Sequence, residues 1–407
     1  MKKFNLLKLG TIFLVSLLFT FTSCSDDDEG TPDNNETSTT ELLVESFSSA
    51  PSIDGTIDAM WGEAQKLVGT TSVPNLGPRN TYLNSDGEGT EETLGLFDPY
   101  TGEKYDFTLR AGYYSSDIFF LLEWDDAADS KDRESWYFDN TAKLWKTEHK
   151  YANNANDKFY EDKFSFLFPI GDVTGFEAST CYATCHTATS ISNAKDKHTR
   201  HYTTVAGEKI DMWHWKRVRG SFLGQVDDQK MVYADDALGS AANGRKGDAT
   251  GDAGYSNNKQ TLTITGTSTD VSVPLYVIPN QTGYYWISQD DIDNNAAKMV
   301  TAVDENGVLT YSGGSIDPAT GGYEQGIGTK RFPSVTTKPF TLGRGDITIQ
   351  AMHNGTGWVA EFTRKLNTND EDDVVFDITK EIPFGLAIFN NAAIAHAIKP
   401  GLVMKFE

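Results

Sequence analysis

Apolar and polar positions alternate in short stretches along most of this chain. Tyr105, Phe107, Leu109 and Ala111 occupy every second position, and after the turn signal Ser115-Ser116-Asp117 residues 118–124 form a denser apolar run. That pattern predicts a β-hairpin with one face buried, because successive side chains of a strand point to opposite faces. Further strands are predicted at 164–168, 261–265, 347–352, 358–363 and 384–389. No stretch sustains the period of a long amphipathic helix. The expectation is an all-β fold, an antiparallel β-sandwich. Ahead of it, residues 51–58 read as a turn leading to a buried aromatic, Trp61. Residues 236–335 are rich in Gly, Asn and Asp with few strand signals, including the loop Gly239-Ser240-Ala241-Ala242-Asn243-Gly244. They read as a long, loop-rich insertion of the kind that covers a site or elaborates a connection. No repeat of solenoid or propeller period is present.

The first residues follow a different pattern. Lys2, Lys3 and Lys8 precede an apolar run over residues 9–21, too short to span a bilayer comfortably. Residues 1–23 read as an export signal, and Phe21-Thr22-Ser23-Cys24 resembles a bacterial lipobox. The resemblance implies cleavage before Cys24 and acylation of its thiol, so that the protein is anchored to a membrane by lipid alone. An ordinary signal peptide or an uncleaved anchor is the competing reading. Residues 24–47 are expected to be a flexible acidic tether, beginning Ser25-Asp26-Asp27-Asp28-Glu29. That run resembles the surface-export signal of Bacteroidetes-type lipoproteins. The expected location is the bacterial cell envelope, on the outer membrane and facing periplasm or surface. The folded domain is expected over 48–407.

Charge and cysteine usage narrow the classes. A net charge of -23 over 407 residues argues against nucleic acid or an anionic lipid surface as partner. It suits docking to a basic redox protein. With 17 Tyr, 23 Phe and 8 Trp, a substantial core can form. The chain has three cysteines, and once Cys24 is assigned to the anchor, Cys181 and Cys185 remain as a pair.

That pair stands in Cys181-Tyr182-Ala183-Thr184-Cys185-His186. Two nearby thiols followed by a histidine suit covalent haem attachment, the thiols adding to the vinyl groups and the imidazole sitting under the iron. Three residues separate the thiols where two are usual, so the extra one must bulge outward. A Cys181–Cys185 disulfide or half of a zinc site would use the same residues. A second stretch, Asp211-Met212-Trp213-His214-Trp215-Lys216, places Met212, His214 and Lys216 on one face if it is a strand, with Asp211, Trp213 and Trp215 on the other. The three on the first face are possible iron ligands. The tryptophans could pack against a macrocycle or the core. His214 alone reads more simply as a core or rim histidine. Acidic groups at Asp227-Asp228, Asp290-Asp291 with Asp293, and Glu371-Asp372-Asp373 lack EF-hand spacing and read as solvated loops. A phosphate loop, a nucleophile elbow and His-Glu-x-x-His are all missing from the sequence.

Several motifs occur in one order: Asp54-Gly55 with Trp61, Glu161 to Phe166, Cys181 to His186, Asp211 to Lys216, Asp227-Asp228, Arg344-Gly345-Asp346, Trp358 with Glu361 to Leu366, Asp373 with Phe376, and Ile382-Pro383-Phe384. Together, over about residues 48–400, they resemble the haem-binding domain related to the gamma subunit of ethylbenzene dehydrogenase. The resemblance implies a β-sandwich that holds one haem and passes single electrons, as partner or subunit of a molybdenum oxidoreductase rather than as an enzyme with catalytic residues of its own. In those subunits the haem is held non-covalently by Met and Lys. Cys181, Cys185 and His186 make this chain look like a c-type branch, with one covalent haem c and His186 as proximal iron ligand. The family's second ligand comes from near the C-terminus, which points to His396, with His201 and Met212 as alternatives. Trp213, His214 and Trp215 are expected to line the cofactor. The competing function is a carbohydrate-binding module whose two cysteines form only a disulfide.

Overall fold

The computed structural model describes residues 37–74, 98–152, 154, 156–180, 203, 205–233, 245–248 and 254–407. The export segment, Cys24 and most of the acidic tether lie outside the described residues. Twelve strands build the main sheet: β1 (Glu41–Ser46), β2 (Lys66–Ser72), β3 (Lys104–Tyr114), β4 (Asp117–Asp125), β5 (Lys163–Ile170) and β6 (Lys209–Lys216), then β7 (Asp227–Val232), β8 (Arg245–Gly247), β9 (Thr348–His353), β10 (Gly357–Lys365), β11 (Ile382–Phe389) and β12 (Ala397–Phe406). Their order is β8-β7-β6-β5-β11-β12-β1-β3-β4-β10-β9, with β2 laid on β3 and touching β12. A short strand, Thr37–Ser38, brings the sheet to thirteen.

The sheet folds over on itself, so its two halves face each other as a sandwich. Phe120 and Trp124 of β4 meet Trp213 and Trp215 of β6 at 5.6 and 5.9 Å between ring centres. Across the open side, Thr348 bridges Gln225, and the Val226 and Ile349 amides donate to the Ile347 and Gly224 carbonyls. The predicted hairpin is β3–β4, closed by Ser115 at φ 57°. Strands 164–168, 347–352, 358–363 and 384–389 all lie within observed ones or overlap them closely. Trp61 is fully buried and donates to Glu361 Oε1 at 2.9 Å, while the Gly55 amide donates to Glu361 Oε2. Gly55 is required there: its φ is +83° and a Cβ would meet Met352 at 2.8 Å.

Three expectations need correction. The tether does not extend to residue 47, because β1 is a central strand with Leu42 and Val44 fully buried. Its six residues follow a polar tract too closely for the alternation to stand out. The sheet is not wholly antiparallel: β1 runs parallel to both β12 and β3. Neither neighbour is joined to it by a tight turn, and only such a turn would force the antiparallel sense. The insertion is also less loop-like than predicted. It carries Gln260–Thr263, Asp270–Val273, Tyr276–Val277, Ile287–Ser288, Lys298–Val303, Leu309–Tyr311 and Gly314–Ile316 as short strands. Val273, Val277, Val300, Val303, Leu309, Tyr323 and Phe332 pack with Trp136, Phe138 and Trp145 as a second small core. Strands of two to six residues give too few alternations to be seen in sequence. Among the described residues no helix is long and apolar enough to cross a membrane.

Glu45 of β1 is buried beside the Glu407 carboxylate, and burial first, then that neighbour, lifts its pKa to about 7. An ionised Glu45 is therefore penalised in the folded chain alone. Its contribution is constant below the ordinary 4.5, falls as pH rises to about 7, and is constant above. The drop in melting temperature between pH 5 and pH 8 is expected to be smaller in Glu45→Gln than in the parent. An equal drop would remove Glu45 as a contributor.

Candidate functional site

Register fixes which side chains share a face. In β5, β6 and β11 the rows Lys163–Lys216–Phe389, Ser165–His214–Ala387 and Leu167–Met212–Gly385 lie side by side. They form the outer face of this half of the sandwich, and Asp227 and Gln229 of β7 extend it. The small side chains of Ser165, Gly385 and Ala387 leave a shallow floor between larger neighbours. Thr180 is laid directly on this floor: a Cβ at Gly385 would come within 2.8 Å of the Thr180 Cβ. The chain thus enters the Cys181–His186 motif over the face that carries Met212 and His214. Cys181, Cys185, His186 and the alternative ligand His201 themselves lie outside the described residues.

Two imidazoles stand on this side of the sheet. His214 is buried, and neither ring nitrogen has a hydrogen-bond partner. Burial first, then the nearby Lys216, Lys163, Arg245 and Arg219 cations, pushes its pKa well below the usual value, so the ring is neutral. His396 is also buried, and burial lowers it to about 4. Its Nδ1 lies 2.7 Å from the Ile394 carbonyl. That contact is a donor bond if Nδ1 carries the proton, which leaves the lone pair on Nε2, the tautomer found in axial and metal-bound histidines. Phe389 is sandwiched between the two rings, 5.6 Å from His214 and 4.7 Å from His396. A flat macrocycle cannot lie between His214 and His396 while Phe389 occupies that space. They cannot both face one iron from opposite sides.

The turn bearing His396 is pinned from the start of β5. The Tyr160 amide donates to Asn391 Oδ1 at 2.8 Å, the Asn391 amide to Asp162 Oδ1 at 2.9 Å, and Lys163 Nζ to the Ala393 carbonyl at 2.9 Å. Lys163 is itself buried, with Nζ 4.2 Å from the Phe389 ring centre, and desolvation lowers its pKa well below the ordinary value. Nearby, Asp227 is held by Lys216 and, bidentately, by Arg344 at 2.5 and 3.1 Å. Tyr255 lies under Lys216 and Arg219, and the Lys216 ammonium above all lowers its hydroxyl to about 8. The site side is therefore rich in buried cations, an arrangement that sequence reading missed because Lys163, Lys216 and Arg219 come together only through strand pairing.

Trp213 and Trp215 do not line this face. Alternation turns both to the inside, where Trp213 packs on Phe168 at 5.0 Å and Trp215 on Trp358 at 5.0 Å, both fully buried. They are core residues rather than neighbours of a cofactor on the His214 face. Met212 does share that face.

The acidic pairs read as solvated loops also need correction. Asp227, Asp228, Asp372 and Asp373 are buried. Arg364, fully buried on β10, reaches across the sandwich so that Nη1 lies 2.8 Å from Asp211 Oδ2, 3.4 Å from Asp228 Oδ2 and 3.5 Å from Asp373 Oδ1. Burial raises Asp211 to about 6 and Asp248 to about 9, and drives Asp228 up as well. The third group serves its own helix, Gln289–Asp293, where Asp291 closes a capping box with Ser288. A groove of about 560 Å³ lies elsewhere, lined by residues that include Gly69, Asp106, Glu123 and Asn354.

Comparisons with known proteins bear on the family of the chain. No curated protein matches the chain. Two solved structures of a carbohydrate binding module family 9 from Caldicellulosiruptor kristjanssonii are similar to it. The cellotriose complex is 8% identical over 90% of this chain and 94% of that one, with a TM-score of 0.27. The glucose complex is 9% identical over 90% and 96%, also with a TM-score of 0.27. At that score the likeness carries no argument. The ethylbenzene dehydrogenase family model matches residues 91–399, most of the chain, and the protein belongs to that family.

Proposed function

We propose that this protein is an exported, lipid-anchored carrier of one covalent haem c that passes single electrons. The observation that supports it is the buried, neutral imidazole of His396, its Nδ1 against the Ile394 carbonyl, on the side of the sheet where Thr180 delivers the chain into Cys181. Neutral, desolvated imidazole is the form that ligates iron. Membership of the ethylbenzene dehydrogenase family adds a relation to a molybdenum oxidoreductase subunit.

In this reading Cys181 and Cys185 would tether the ring, and His186 and His396 would hold its iron, His396 being oriented by the Ile394 carbonyl and by the turn that Asp162 and Lys163 hold. The bound iron supplies one-electron chemistry, and two imidazole ligands give a lower potential than an imidazole with a thioether. Ser165, Gly385 and Ala387 provide a floor without bulk, and Leu167 and Met212 exclude water from it. The acidic surface favours a basic redox partner.

A pyridine haemochrome spectrum of denatured protein, matured with a cytochrome c assembly system, tests this. One covalent haem per chain is expected. Colourless protein with Cys181 and Cys185 joined to each other would overturn the reading.

A further inference from the structure

On the inner side of β6, away from His214, five carboxylates converge at one end of the sandwich. Asp211 comes from β6 and Asp228 from β7. Asp248 follows β8, Asp346 precedes β9, and Asp373 sits in the loop after β10. Oxygens of Asp211, Asp228 and Asp373 all lie within 4.8 Å of one another. Arg364 supplies the guanidinium that reaches them, and its Nη2 is turned away to the Val374 carbonyl at 2.7 Å. Lys209 and Lys230 are committed to Asp372.

The charges do not close. Were all five carboxylates ionised, Arg364 would leave four negative charges in a region largely shut off from water, and burial raises Asp248 to about 9 for want of a nearer counter-charge. The hydrogen bonds do not close either. Asp211 Oδ1, Asp228 Oδ1, Asp346 Oδ1, Asp373 Oδ1 and both oxygens of Asp248 have no hydrogen-bond partner. Asp248 is a separate witness. It reaches the cluster from the edge strand, is fully buried, and faces Asp373 and Asp211, two further acceptors. Buried acceptors turned toward acceptors need either a shared proton or a positive centre between them.

We propose that Asp211, Asp228 and Asp373, with Asp248 and Asp346 beside them, bind a calcium ion that joins the two halves of the sandwich beside Arg364. The donor set decides the metal. It is all carboxylate oxygen, with no histidine or cysteine, which disfavours zinc and copper. Three grouped carboxylates with the oxygens of Asp248 and Asp346 beside them suit calcium, which takes roughly 6–8 oxygens in flexible geometry, whereas magnesium keeps several of its waters and is seldom held in an all-protein cage. The ligands come from β6, β7, the β8 edge and both sides of the β9–β10 hairpin, so the ion ties elements far apart in sequence. It lies on the opposite face of β6 from His214 and does not depend on haem.

The experiment uses the full chain, stripped with chelator and titrated with calcium chloride by calorimetry and thermal melting. One calcium per chain is expected, with a melting temperature several degrees higher than in sodium chloride of equal ionic strength. Asp248→Asn is expected to weaken calcium binding by about tenfold or more, since affinity follows ligand charge. In the metal-free state the same variant should melt no lower than the parent, because it relieves repulsion. Should it fail to fold, Asp346→Asn carries the same test. No binding heat and no calcium-dependent shift would overturn the site and leave protons shared among the carboxylates. Unchanged affinity in the variant that folds would overturn the assignment of these ligands.

Discussion

Arg364→Ala is expected to cost the fold about 3–5 kcal/mol, the penalty for removing one partner of a buried ionic cluster. Against the roughly 5–15 kcal/mol that holds a domain together, that is about a fifth of its stability or more. The guanidinium is fully buried and contacts three carboxylates. It also packs over Trp213 at 4.8 Å and Phe376 at 5.3 Å, so the variant loses ring contact as well as charge. Arg364→Lys should recover only part, because an ammonium is a point donor and cannot fork between Asp211 and Val374. Denaturant midpoints read this directly, and an alanine variant within about 1 kcal/mol of the parent would show that the carboxylates do not need Arg364. Calcium should restore part of the lost stability if the proposed ion sits beside it.

The second large effect is on the iron of the proposed haem. In His396→Ala the spectrum of the reduced protein is expected to change from six-coordinate, low-spin to five-coordinate, high-spin, with carbon monoxide binding gained. His214→Phe should keep the low-spin spectrum, since Phe389 separates His214 from His396 and no hydrogen bond orients the His214 ring. The reverse result, a spectrum lost with His214 and kept without His396, would move the distal ligand to β6. Met212→Leu gives a third reading: loss of low-spin character there would make thioether the ligand, with the higher potential that follows. Attachment itself is separable, because Cys181→Ala with Cys185→Ala should release the pigment on denaturation whichever residue is distal.

Some of this was legible because it depends on local order. Alternation at Tyr105–Ala111 and at Trp358–Thr363 is dictated by the two-residue period of a strand, so those strands can be placed from the residue pattern alone. The same period put Met212 and His214 on one face and Trp213 and Trp215 on the other. It could not say which face is the core. That choice depends on what lies across the sandwich, and Phe168, Trp124 and Trp358 claim the tryptophans for the inside. β1 was missed because its pairing with β12 joins residues hundreds of positions apart and its pairing with β3 spans a long connection. The six-residue run carries little signal of its own.

The amino-acid sequence by itself determined the β class and the family, and it supplied the lipobox resemblance and the Cys181–Cys185–His186 motif on which the proposed function draws. Each of these is written in consecutive residues or in their order. Tertiary structure alone decided that Asp211, Asp228, Asp248, Asp346 and Asp373 meet around Arg364, and that Phe389 stands between His214 and His396. Acidic residues look like solvated loops in sequence, because a charge is normally cheapest in water. Only the folded sheet shows that these were drawn into its interior, where each demands a counter-charge.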